Sequence, residues 1–156
     1  MSAFDFYADI NKFDSNTTRY NGENALVLAD CARLAYKPEA EIKDALQGVW
    51  KFNNFAFFSA KSTDAYIAGN DTVIIVAFRG TEIMKIADVI TDKKLWQTET
   101  GIASIPGKVH AGFKGALHEV WDSMIKTLKE FQDKQQTVWF CGHSLGAALA
   151  TLAVAE

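Results

Sequence analysis

The chain has 156 residues, is 49% hydrophobic and 22% charged, and carries a formal net charge of −3. That length suits one sizeable core and predicts a single domain over residues 1–156. The charge excludes the basic footprint of a nucleic-acid binder, and no apolar window approaches the ~20 residues that span a bilayer.

Residues 1–9 have neither a basic start nor a long apolar stretch. No cleaved secretory signal is therefore expected, which predicts a cytoplasmic protein or one exported by another route. Cys31 and Cys141 each lie in an apolar run and read as buried free thiols rather than a disulfide. No C-x-x-C or H-x-x-x-H spacing occurs, which sets aside a cysteine–histidine metal site; no metal or cofactor is expected.

Residues 1–21 carry no assignable pattern. Over 23–36 the spacing of Ala25, Leu28, Ala29, Ala32 and Ala35 predicts a helix, widened on its apolar side by Leu26, Cys31 and Leu34. A shorter helix over 39–47 should bury Ile42, Ala45 and Leu46 and stop at Gly48. Strands are expected at 55–60, 64–68 and 72–79, with Gly69-Asn70-Asp71 as a hairpin turn. The run Val73-Ile74-Ile75-Val76-Ala77-Phe78 lacks polar alternation, which marks a central strand covered on both faces.

After Arg79-Gly80-Thr81, a short helix should carry Ile83, Ile86, Ala87 and Ile90 on one face, and residues 93–108 read as loop. One long amphipathic helix is predicted from Phe113 to Phe131, with Leu117, Val120, Trp121, Met124 and Leu128 in its apolar stripe. It leads to an apolar strand, Thr137-Val138-Trp139-Phe140-Cys141, expected to run parallel to the 72–79 strand. Both would then end on the side of the sheet where ligands bind in open α/β proteins.

That last strand runs into Gly142-His143-Ser144-Leu145-Gly146, and residues 147–155 follow as an alanine- and leucine-rich helix. A serine between glycines on a tight strand-to-helix turn is a nucleophile elbow. The helix N-terminus beside it offers positive potential and free N–H groups. The Leu145 N–H is then one donor for an oxyanion, and Thr81, at the end of the neighbouring strand, is placed to supply the second. Thr81 also reads as the N-cap of the segment after it, and the two roles are compatible.

Four stretches together resemble the class 3 lipases: Phe78-Arg79-Gly80-Thr81, Asp88-Val89-Ile90-Thr91-Asp92, Val109-His110-Ala111-Gly112-Phe113, and the elbow. The resemblance runs from about Leu26 to the end. It implies an α/β-hydrolase fold, with a mixed, mainly parallel sheet flanked by helices, and carboxylic-ester hydrolysis through a serine acyl-enzyme. Acylglycerols or phospholipids are the implied substrates. It makes Ser144 the nucleophile and Thr81 with Leu145 the oxyanion hole. The helix carrying Ile83, Ile86, Ala87 and Ile90 would be a lid, or else a helix packed permanently on the core.

In this fold the serine is followed by Asp or Glu and then His. The residues after Ser144 include neither Asp nor His. His143, His110 and His118 do not read as the base: the first points away from Ser144 on the turn, the second matches a structural position, and the third lies on the long helix. The chain is thus expected to be the N-terminal portion of a longer hydrolase, inactive alone, with an unpaired outer edge on the 137–141 strand. That edge would receive the missing C-terminal part or another copy. The alternative is a non-catalytic lipid- or partner-binding module that keeps the elbow without a triad.

Overall fold

The computed structural model describes residues 4–80, 97–101 and 106–156. Asn21 opens helix α1 (Gly22–Leu34), its side-chain oxygen accepting the N–H groups of Glu23 at 2.9 Å and Asn24 at 3.2 Å. The buried face of α1 carries Asn24, Val27, Asp30, Cys31, Ala32 and Leu34. This is a rotation away from the expected stripe. Ala25 and Leu28 are only half-buried and Ala29 is exposed.

The rotation follows from Asp30. Its buried carboxylate accepts the N–H groups of Tyr7 at 2.7 Å and Ala8 at 2.9 Å, and pairs with Arg33 at 2.9 Å. A buried carboxylate needs several such partners, and these pull Asp30 inward. They also tie down the opening segment that shows no pattern in sequence. Its Phe4, Phe6, Ile10 and Phe13 pack against the core.

Helix α2 (Glu39–Gly48) buries Ile42, Ala45 and Leu46, as the periodicity predicts. Gly48 is its last helical residue rather than its stop, and the Val49 N–H closes the turn onto the Ala45 carbonyl at 3.0 Å. Strands β1 (Asn54–Ala60), β2 (Thr63–Gly69) and β3 (Val73–Phe78) form an antiparallel meander with Phe57 opposite Tyr66 and Ile67 opposite Val76. The β2–β3 turn is held by Asn70, whose side-chain oxygen accepts from Thr72 and Val73.

Strand β3 is buried along its whole length. Val73, Ile75 and Ala77 face the cluster under α1 and α2, while Ile74, Val76 and Phe78 face a second cluster. That alternation puts a core on each face of the sheet.

Strands β4 (Gln97–Glu99) and β5 (Lys108–His110) pair as a short antiparallel ladder where a loop was expected. Three residues are too few for an alternation pattern to be read. The single long helix predicted next is two: α3 (Ala111–His118) and α4 (Trp121–Phe131). The Ala116 carbonyl accepts the Thr63 hydroxyl at 2.8 Å, and the Val120 N–H turns to the Leu117 carbonyl at 3.1 Å. Ser62 adds its N–H and hydroxyl to the Glu119 carboxylate, which lowers that carboxyl's pKa. The β1–β2 turn thus intercepts the helix at its midpoint. Leu117, Val120 and Met124 are nonetheless buried, with Phe113, Trp121, Leu128 and Phe131 packed around them.

Strand β6 (Thr137–Gly142) pairs in parallel with β3, Ile75 opposite Trp139 and Phe78 opposite Gly142. The sheet order is β1-β2-β3-β6. Among the described residues β6 has no partner on its other side, and only Cys141 in it is buried. Among the described residues the strand is therefore a half-covered edge. Helix α5 (Leu145–Ala155) buries Gly146, Leu149, Ala150 and Ala153 but leaves Val154 exposed, so it too is covered on one side only. No helix among the described residues is long and apolar enough to cross a membrane.

Candidate active site

The parallel register of β3 and β6 brings the ends of both strands to one edge of the sheet, with Gly80 two residues past one and Ser144 two residues past the other. Ser144 sits on the turn between β6 and α5 at φ 56° and ψ −122°. For a residue with a β-carbon this is a sparsely populated backbone state, costing roughly 1–3 kcal/mol.

Two glycines make the turn possible. A β-carbon on Gly142 would collide with the carbonyl of Gly146, and one on Gly146 would collide with the carbonyl of Phe78 at the end of β3. The helix therefore starts in direct contact with both strand ends. The turn is closed by the Gly146 N–H on the His143 carbonyl at 3.0 Å and the Ala147 N–H on the Ser144 carbonyl at 3.0 Å.

Ser144 stands at the N-cap of α5, yet its side chain caps nothing, and the residue is exposed. Its hydroxyl is left facing solvent at the positive end of a helix. The next N–H, on Leu145, has no acceptor among the described residues, as the first helical N–H of any helix lacks an intrahelical partner. An exposed hydroxyl and an unspent N–H side by side can present a nucleophile and one oxyanion donor to a carbonyl. The other expected donor, Thr81, and the expected lid residues Ile83, Ile86, Ala87 and Ile90 lie outside the described residues.

The three histidines are each engaged away from Ser144. His110 caps α3, its Nδ1 accepting the Gly112 N–H at 3.1 Å while its ring stacks on Phe113. His118 meets the Glu156 carboxylate at 3.0 Å, and Nδ1 of His143 lies 3.0 Å from the Tyr36 hydroxyl. Neither the Tyr36 contact nor the Asp30 anchor could be found by periodicity, since both depend on which helix face turns inward. Another nucleophilic side chain nearby, Cys141, is kept protonated. A hydrogen bond with Cys31 raises its pKa well above the usual thiol range, and burial adds to the effect.

The family model described as "Lipase (class 3)" matches residues 75–156, just over half of the chain. Among solved structures, a triacylglycerol lipase described as having a serine-protease triad at its catalytic centre is 31% identical, with a TM-score of 0.51, over 63% of this chain and 38% of that one. MDLA from Penicillium cyclopium is 33% identical, with a TM-score of 0.53, over 64% of this chain and 38% of its own. The Rhizomucor miehei triacylglyceride lipase is 22% identical, with a TM-score of 0.58, over 86% of this chain and 55% of its own. The chain thus spans well under two thirds of each of these structures. No curated protein matches it. The mixed, helix-flanked sheet is an α/β-hydrolase fold, as expected from the sequence.

Proposed function

Because the chain belongs to the class 3 lipase family, we propose that it carries the nucleophile half of a carboxylic-ester hydrolase, with Ser144 attacking the ester carbonyl. The Ser144 Oγ forms a bond to the carbonyl carbon, the hydroxyl proton leaves to a base, and the carbonyl oxygen becomes an oxyanion. Collapse of that intermediate expels the alcohol and leaves an acyl-enzyme, which water hydrolyses. The Leu145 N–H and Thr81 hold the oxyanion, each donor supplying about 2.7–4 kcal/mol of barrier reduction. The observation that carries this reading is the strained, non-capping Ser144 at the start of α5.

With His110, His118 and His143 all engaged elsewhere, the proton acceptor has to come from other groups than these rings. In the chain by itself, turnover should then fall on the order of 10⁶-fold below that of a complete triad. Acylglycerols, phospholipids and simpler esters share the acyl group this chemistry needs.

The test uses p-nitrophenyl esters of increasing acyl length, whose leaving group needs no protonation. Ser144→Ala should lower nitrophenol release at every length. Equal rates for the two proteins would reject Ser144 as nucleophile, and saturable ester binding without any Ser144-dependent release would favour a binding module.

A further inference from the structure

Three separate elements meet at one point beside the elbow. Tyr36 follows the C-terminus of α1, and its hydroxyl lies 3.0 Å from Nδ1 of His143. Gly80 follows β3, and a β-carbon there would collide with both the Tyr36 hydroxyl and the His143 carbonyl. That same carbonyl accepts the Gly146 N–H that closes the elbow. The Arg79 guanidinium lies over the Tyr36 ring at 5.8 Å and pairs with Asp64 at 3.1 Å. His143 is exposed, so apolar packing does not hold its ring.

We propose that Tyr36 is a positioning residue that clamps the elbow through His143 and Gly80, and so sets the distance between the Leu145 N–H and the chain leaving β3. A strained residue persists only where its surroundings over-determine it. Ser144 is strained, and the residue before it is held by its ring to α1 and by its carbonyl to α5, with Gly80 wedged against both. The clamp thus holds the elbow against the end of β3 at Gly80. With the imidazole neutral and protonated at Nε2, the Tyr36 O–H donates to Nδ1. This role rests on the hydrolase reading for its catalytic consequence, while the clamp itself does not.

The clamp is tested in the full chain by amide hydrogen exchange and imidazole ¹⁵N shifts, comparing the parent with Tyr36→Phe. Loss of one hydroxyl should move the His143 Nδ1 resonance and speed Gly146 exchange by about three- to tenfold, the worth of one net hydrogen bond. The β3–β6 ladder amides should exchange as before. Unchanged Gly146 exchange overturns the clamp.

The catalytic consequence is read as kcat on a p-nitrophenyl ester. Tyr36→Phe should lower kcat by a similar factor with KM unchanged. His143→Ala should do the same, and the double variant should be no worse than the poorer single one. Full kcat in Tyr36→Phe, or additive losses, overturns the positioning role. If Ser144→Ala turns over ester as fast as the parent, the hydrolase reading fails, and the exchange result still decides the clamp.

Discussion

Ser144 occupies the least comfortable backbone position around the elbow, at φ 56° and ψ −122°, and the fold maintains it by removing β-carbons on either side. Glycine has no penalty in this region. Ser144→Gly should therefore stabilise the chain by about 1 kcal/mol, part of the strain being offset by the extra freedom of an unfolded glycine. It should also abolish Ser144-dependent ester cleavage. Urea denaturation measures the first and nitrophenol release the second, and a less stable glycine variant would mean that the turn is not strained. Cys141, three residues earlier, cannot stand in as the nucleophile, because its thiol is held protonated by Cys31 and by burial.

Among the elements, the break between α3 and α4 is the clearest case of tertiary structure overriding local pattern. The apolar stripe from Phe113 to Phe131 is continuous in sequence, and every member expected to face inward lies in the second core cluster. The backbone nonetheless breaks where the Thr63 hydroxyl takes the Ala116 carbonyl. Thr63→Val keeps the shape of the side chain and removes the donor. It should cost about 1–2 kcal/mol, since it leaves a buried carbonyl with a weaker set of partners. Circular dichroism should show a small gain in helix if Val120 returns to α-helical bonding with the Ala116 carbonyl. No loss of stability would show that the break is set by the stripe itself.

For the whole molecule, β3 is the shared wall of two cores. Ile75 belongs to the cluster under α1 and α2, and Ile74 to the one under α3, α4 and α5. Truncating either isoleucine to alanine should cost about 2–5 kcal/mol. If the chain is one folding unit, as its length predicts, both variants should lower the midpoint of a single shared unfolding transition. Two transitions, each shifted by only one variant, would divide the chain into separate units. Among the described residues the outer side of β6 is an open edge, beside a groove of about 410 Å³ lined in part by Ala25, Leu28, Ala29 and Val154.

That groove explains which features were legible. Strong local signals were sufficient for β3, for the burial of Ile42, Ala45 and Leu46, and for the elbow, because each depends on residues close in sequence. The half-buried Ala25 and Leu28 read as core because alanine and leucine at helical spacing fit a core face. Their actual exposure follows from the rotation of α1 that the Asp30 contacts impose, which no helical period encodes. What the sequence determined by itself was the family-like order of motifs, the central strand and a serine on a glycine-flanked turn, all set by backbone sterics and local hydrophobic pattern. Only the tertiary structure decided which face of α1 turns inward, where the long helix breaks, and that Tyr36 reaches His143. Those outcomes rest on hydrogen bonds between residues far apart in the chain, and such bonds form only after the sheet has brought their elements together.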